Sequence, residues 1–338
     1  MIETTKPSQP YDSGYNGLKT RDFNIKVGET GHHVTLIQLT DLHIGLCNEA
    51  DKDNVTLMGK DGEKNGTYYK RTWPNQNDVK RNLTSALKYF DNLKADQLVI
   101  TGDALDYLSY GGLAFLREKI WDPYKGKVLI APGNHELVQK MGGDVAESLT
   151  VAKRTKMLQD GWDHDLYYTS RVLQDKVMII QMDNGLDDRD EVAKPHFGKL
   201  FHEEQVAKLT ADLELARKNR YVVLLFMHSP IGTGNPDDKE VKLTYDPNPE
   251  STKDGVNKTQ NLYENVAAGT PNNGDSAASA AIWNLIYENS DIVAAVFAGH
   301  VHGDFYSEII GKTRKIPQIL LRGMCYEQGH ALKITVEY

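Results

Sequence analysis

The chain has 338 residues, 40% of them hydrophobic and 25% charged, a balance that excludes collagenous, coiled-coil and wholly disordered proteins. Its 39 basic and 47 acidic residues leave a formal net charge of −8. That disfavours extended nucleic-acid binding and broad attachment to an anionic membrane.

No apolar run approaches the length of a membrane span. The two cysteines, Cys47 and Cys325, make neither a disulfide framework nor a CxxC metal site. The polar N-terminus, with Pro7, Pro10, Gly14 and Gly17, is not a signal peptide as written. The cytoplasm is therefore the default compartment, with export left open. Residues 1–33 are expected as an extended segment packed on the core, and 34–338 as a single domain.

The first clear strand is Val34–Leu39. A polar stretch, Gly45–Asn77, follows, with Arg71 and Trp73 near its end. Leu83, Leu87 and Phe90 then recur at helical spacing within Val79–Leu93. Short apolar runs predict strands at Gln97–Thr101, Lys127–Ala131 and Val177–Met182. Glu203–Lys218 reads as a helix through Val206, Leu209, Leu213 and Ala216, and Tyr221–Met227 as a strand. A second polar stretch, Ile231–Asp275, precedes a helix at Ser276–Glu288 and a strand at Asp291–Ala298. The tail adds strands at Ile316–Leu321 and Ala331–Glu337; in the latter, Leu332, Ile334 and Val336 share one side. Alternating strands and helices predict an α/β core. The two polar stretches are expected as insertions, at about 45–77 and 231–275, that wall a site.

Chemistry collects where the apolar strands stop. Five of them run into Asp41-Leu42-His43, Gly102-Asp103-Ala104-Leu105-Asp106, Gly133-Asn134-His135-Glu136, His228, and Gly299-His300-Val301-His302. Sites in α/β sheets lie outside the carboxyl ends of strands. Carboxylate, imidazole and amide oxygen without thiolate suit borderline-to-hard divalent ions. Asp41, His43, Asp103, Asn134, His228, His300 and His302 are too many ligands for one tetrahedral zinc. They fit two ions roughly 3.5–4 Å apart that share a carboxylate, and Asp103 is the natural bridge. His32, His33, His164, His196, His202 and His330 follow no such pattern and read as structural histidines.

The ordered series DxH, GDxxD, GNHE, H and GHxH, from Asp41 to His302, resembles the calcineurin-like metallophosphoesterase superfamily. The resemblance implies a four-layer α/β/β/α sandwich with two mixed β-sheets. It implies a binuclear centre with one metal on Asp41, His43, Asp103 and His302 and the other on Asp103, Asn134, His228 and His300. His135 matches the family's catalytic, non-ligand histidine, and Asp106 the carboxylate that orients it in some members. The serine/threonine phosphatases extend two of these motifs with arginine, as GDxxDRG and GNHExR; here Tyr107 follows Asp106, and Leu137 and Val138 follow Glu136. Purple acid phosphatases need a tyrosine where this chain has Asp106.

The expected chemistry is hydrolysis of a small-molecule phosphoester, with a hydroxide bridging two divalent ions for in-line attack. Mn, Fe, Zn or Co would all suit the ligands. An imidazole in the place of His135 is suited to protonating the leaving group. A diester is expected over a monoester, because the clamping arginines are missing. The alternatives are a phosphomonoesterase, a nuclease and a non-catalytic interaction module on the same fold. Arg71, Trp73 and Asp183 are candidates for substrate contact, with Arg322, Tyr245 and Tyr263 as further candidates. Oligomeric state is not legible.

Overall fold

The computed structural model describes residues 1–28, 31–60, 64–139, 149–186, 201–233, 277–338 and the main chain of 244–245. In chain order the first elements are strands β1 (Ile2–Thr4), β2 (Tyr11–Tyr15), β3 (Leu18–Val27) and β4 (His33–Leu39). Helices α1 (Val55–Met58), α2 (Thr67–Lys70) and α3 (Gln76–Leu93) follow, then β5 (Gln97–Thr101), α4 (Tyr110–Leu116) and β6 (Val128–Ala131). Next come α5 (Val151–Gly161), β7 (Tyr168–Leu173), β8 (Val177–Met182), α6 (Glu203–Asn219), β9 (Val222–Phe226) and β10 (Thr244–Tyr245). The chain ends with α7 (Ala277–Glu288), β11 (Val293–Ala298), β12 (Phe305–Ile309), β13 (Ile316–Leu320) and β14 (Gly329–Glu337).

The strands form two mixed sheets of seven. One runs β1-β3-β14-β4-β5-β6, with β2 paired to β3; the other runs β10-β12-β13-β11-β9-β8-β7. Period-two alternation divides the apolar residues of each central strand between two cores. Val34, Leu36, Val99 and Leu129 of the first sheet share one cluster with Ile179, Leu224, Phe226 and Phe297 of the second. Ile37, Leu98 and Ile130 turn the other way, onto Leu83 and Phe90 of α3. Met178, Leu225 and Val296 face Leu209 and Leu213 of α6 and Ile282 of α7. Sheet thus meets sheet, with helices on each outer face. In β11, Val293 and Val296 reach the same helix-facing core although three residues apart, because the register shifts between Val293 and Ala295.

The predicted strands from Val34 onward are all present, within one or two residues at each end. The N-terminal segment does more than pack on the core. β3 pairs in parallel with β14 along nine residues, Leu18↔Gly329 to Lys26↔Glu337. It hid in the sequence because its pattern includes Arg21 and Asp22, which are satisfied by ion pairs across the sheet. Lys333 Nζ lies 2.7 Å from Asp22 Oδ1. Arg21, 1% exposed, has its Nη1 3.4 Å from Asp304 Oδ1. Of the Ile231–Asp275 insertion, only 231–233 and the main chain of 244–245 are described. Tyr263 and the Tyr245 side chain, expected as ring faces, therefore lie outside the described residues.

Strand register places the site. Leu39 pairs with Ile100, and Thr101 with Ala131, so β4, β5 and β6 end together. Phe297 pairs with Phe226, and Ala298 with Leu320, so β9, β11 and β13 do too. Gln38 Nε2 joins the two edges, donating to Thr101 Oγ1 and to the Ala298 carbonyl, each at 3.0 Å.

Asp304 ties β3, β14 and the turn after β11 into one buried network. Its Oδ2 lies 2.6 Å from His330 Nδ1, and its Oδ1 accepts from the Arg322 N–H at 2.9 Å. Burial opposes its ionisation, yet His330 and Arg21 hold its carboxyl well below the usual carboxylate range. Asp304→Asn removes the carboxylate charge that faces the buried Arg21 guanidinium. The variant should lose about 3–5 kcal/mol of stability at neutral pH, read from urea unfolding as a lower midpoint with an unchanged slope.

Candidate metal centre

Each side chain of the centre leaves a strand end and turns sharply into one cavity. The turning is visible in the main chain. Asp41, His43, Asp103, His300 and His302 adopt positive φ, between 48° and 70°. Non-glycine residues rarely accept that conformation, and it concentrates at functional sites. Gly102 has φ 89°, and a methyl group there would run into the His228 ring. At Gly299 a methyl would collide with the Thr40 hydroxyl and the Asp41 carboxylate. Both glycines let main chain and site side chains share space that a Cβ would fill.

Asp103 is 1% exposed, and its two oxygens face different histidines. Oδ2 lies 3.6 Å from His43 Nε2; Oδ1 lies 3.4 Å from His228 Nε2. On the first side, His302 Nε2 is 3.0 Å from His43 Nε2 and 3.2 Å from Asp41 Oδ1. On the second, His228 Nε2 is 3.1 Å from Asn134 Oδ1 and 3.2 Å from His300 Nδ1. The His135 N–H donates to Asp103 Oδ1 at 2.9 Å. Its ring Nδ1 sits 2.8 Å from the Asp106 carbonyl, while Nε2 points inward, 4.0 Å from Asp103 Oδ2.

Hydrogen-bond chemistry assigns the tautomers. The Thr101 carbonyl lies 2.9 Å from His228 Nδ1 and can only accept, so Nδ1 carries the proton and the Nε2 lone pair faces the cavity. The Asp106 carboxylate, 2.9 Å from His43 Nδ1, acts likewise on His43. Outer acceptors of this kind orient histidines toward a metal. Lone pairs converging beside two carboxylates call for a cation. Asp41 Oδ1 supports this, being buried with no aligned hydrogen-bond donor. The residues therefore fit divalent ions. Asp41, His43, Asp103 and His302 form one compact ligand group, and Asp103, His228 and His300 another.

Electrostatics express the same demand for positive charge, which protons meet where no cation stands. Burial lowers the His228 pKa, but Asp103 and Asp41 outweigh it and push it up to about 9. Burial likewise disfavours charge on His302, yet Asp41 raises its pKa well above the ordinary value. Against its own burial, Asp103 is held well below the carboxylate range by His228 and His135. Glu136 goes the other way: burial, reinforced by the Asp103 charge, pushes it up to about 8. It accepts from the Leu105 N–H at 3.0 Å and from the Gly133 N–H, stitching the two turns together.

The tentative contacts have separate fates. Arg71 is bidentate on Asp106, Nε to Oδ2 at 2.8 Å and Nη2 to Oδ1 at 3.0 Å. The Asp106 carboxylate is thus shared mainly by His43 and Arg71, and His135 is held more closely by the Asp106 carbonyl. Trp73 lies at the centre, its ring 6.0 Å from His302 and 5.8 Å from His43. Asp183 is fully buried and serves a turn, accepting from the Gly185 and Leu186 N–H groups at 2.9 and 3.0 Å. Its other oxygen faces His202 Nε2 at 3.1 Å. Two nearby residues escaped the sequence reading: Tyr326 Oη is 3.3 Å, and Cys325 Sγ 3.9 Å, from His302 Nδ1. The signal was present, since Arg-Gly-Met-Cys-Tyr follows β13 as the other loaded segments follow theirs.

The sequence profile of the calcineurin-like phosphoesterases matches residues 34–304. No curated protein matches the chain significantly. Among solved structures, a dimetal phosphatase from Danio rerio is 15% identical, with TM-score 0.49, covering 89% of this chain and 91% of that one. A putative 5′-nucleotidase from Staphylococcus aureus is 11% identical, TM-score 0.40, covering 87% of this chain and 49% of the other. A purple acid phosphatase from yellow lupin, Lupinus luteus, is 10% identical, TM-score 0.41, covering 89% and 46%.

Removing the shared carboxylate tests the centre without any substrate. Asp103→Asn should weaken binding of both equivalents of Mn or Zn in isothermal titration. Asp41→Asn should weaken one equivalent and spare the other. A full complement of tightly bound metal in Asp103→Asn would refute a shared ligand.

Proposed function

The chain belongs to the calcineurin-like phosphoesterase family, and from that premise we propose that it hydrolyses phosphodiesters at the Asp41–His302 centre. It is a metal-dependent hydrolase of phosphoric esters. In our reading, Asp41, His43, Asp103 and His302 hold one divalent ion, and Asp103, Asn134, His228 and His300 the other. Such ions, when bound, supply Lewis acidity: they lower the pKa of water and draw charge from phosphoryl oxygens.

The protein's own groups do the rest. Asp103 spans the two ligand sets and fixes their separation. The Asp106 carbonyl keeps the Nδ1 proton of His135 in place and aims Nε2 at the cavity. A protonated Nε2 there can pass its proton to the departing alkoxide as water displaces it in line. His135 is partly open to solvent, its side chain 18% exposed, so it can recover a proton after each turnover.

One observation carries the preference for a diester: the Arg71 guanidinium is spent on Asp106. Its charge, beside the Asp41–His302 centre, is already compensated. Tyr107 and Val138, where the serine/threonine phosphatases carry arginine, are buried, at 1% and 4% exposure. A dianionic monoester asks for more positive charge than this leaves; a monoanionic diester asks for less.

His135→Ala should keep metal and fold but lose turnover by roughly 10²–10⁴-fold. The loss should shrink for a nitrophenol leaving group, which departs without a proton. Loss of metal in this variant would make His135 a ligand and overturn its assigned role. Diester preference is checked with kcat/KM on matched nitrophenyl mono- and diesters, corrected for their intrinsic reactivities. We expect the diester to win; a corrected monoester preference of about tenfold, or 1.4 kcal/mol, would refute the reading.

A further inference from the structure

One wall of the centre is aromatic, and apart from the Tyr326 hydroxyl beside His302 neither metal binding nor proton transfer uses it. Trp73, from the segment between α2 and α3, meets Tyr326, from the segment after β13, with ring centres 5.9 Å apart. Both rings touch His302, Trp73 nearly parallel to it at 21° and Tyr326 edge-on at 5.9 Å. A guanidinium lies against each ring: Arg71 Cζ is 5.1 Å from the Trp73 centroid, and Arg322 Cζ is 4.5 Å from that of Tyr326.

Exposure separates this wall from ordinary packing. Trp73 is 41% exposed, whereas Trp121 and Trp162 are 0% and 6% exposed and Trp283 is half-buried. A large aromatic left open to water beside a buried polar centre is the informative kind of exposed apolar surface. Its surroundings narrow what it would take. An alkyl chain needs a continuous apolar face, but these rings are bordered by guanidinium and imidazole. A bare phosphate needs an uncommitted arginine fork, and the Arg71 fork is on Asp106. A flat heterocycle with a polarisable face and polar edges suits rings interleaved with guanidinium groups.

We propose that Trp73 and Tyr326, backed by Arg71 and Arg322, form a subsite for an aromatic heterocycle carried on the substrate phosphate. The substrate class is then a nucleotide-type phosphodiester. The assignment rests on the hydrolytic reading above and adds to it which substituent the enzyme selects. Trp73 and Tyr326 determine specificity, since they stand beside the metal ligands and have no part in moving the proton.

Binding separates this proposal from the hydrolytic one. Metal-loaded protein is mixed with AMP or with ribose 5-phosphate in a stopped-flow instrument, and tryptophan fluorescence is followed. Wild-type protein should bind AMP about tenfold more tightly, the scale of one base–aromatic stack, and AMP should quench the emission. Trp73→Leu should bring the two ligands level and abolish the quench. Trp73→Phe, which retains a stacking face, should keep most of the preference. An unchanged melting midpoint shows that the variants are folded. Equal affinity in wild-type protein, or a preference that survives Trp73→Leu, overturns the subsite. Hydrolysis of methyl p-nitrophenyl phosphate, which has no base, reports on the diester reading alone. Intact hydrolysis without base preference therefore removes the subsite and leaves the diesterase. Base preference without hydrolysis removes the diesterase and leaves the subsite.

Discussion

A carboxylate with 1% exposure, Asp103, is the constraint on which the centre is built. Burying an ionised carboxylate costs several kcal/mol unless opposite charge and hydrogen-bond donors replace its water. Here the His135 N–H supplies one donor, and the imidazoles beside both oxygens mark where positive charge is still required. Two of those imidazoles commit their Nδ1 protons to Thr101 and Asp106, so they offer lone pairs rather than protons to the cavity. The arrangement is incomplete without cations. The absence of an aligned donor at Asp41 Oδ1 follows from the same arrangement.

Holding such a cluster together strains the backbone. Of ten non-glycine residues with positive φ among the described residues, five belong to this centre. Each such residue costs of order 1–3 kcal/mol, so the frame must over-determine it. The frame does so through parallel register, which ends β4, β5 and β6 at one level and β9, β11 and β13 at another. Gln38 and His228 then cross from sheet to sheet to bond Ala298 and Thr101. The central strands are apolar on both faces because each face meets a different core. That double burial makes the frame rigid enough to carry a strained rim.

The same physics decides what could be read in advance. Strands buried on both faces leave long apolar runs, and β4, β5, β8, β9 and β11 were legible for that reason. The polar groups at their ends were legible because they interrupt those runs abruptly. β3 was not, since Arg21 and Asp22 are compensated by Asp304 and Lys333, partners distant in sequence. β7 stands at a sheet edge and β12 beside one, with mixed burial and correspondingly mixed composition. Residue types were readable where motif spacing was informative; partnerships were not. Arg71 looked like a phosphate grip until the fold paired it with Asp106, thirty-five residues away. Tyr326 stands twenty-four residues beyond His302, and only the parallel pairing of β11 with β13 brings them together.

The Arg71–Asp106 pair links the charge of the centre to its shape. Asp106 stands between His43, Arg71 and His135, and these neighbours keep its carboxyl ionised against the effect of burial. Because Arg71 supplies that compensation from the outer side, its guanidinium does not project over the cavity as a phosphate clamp. It lies instead against Trp73, holding the indole beside His43 and His302. One arginine thus withdraws a cation from the place where a dianionic phosphate would need it and supports the aromatic wall. On the proposed reading, the low charge demand of a diester and the aromatic wall offered to its second substituent both trace to that single ion pair.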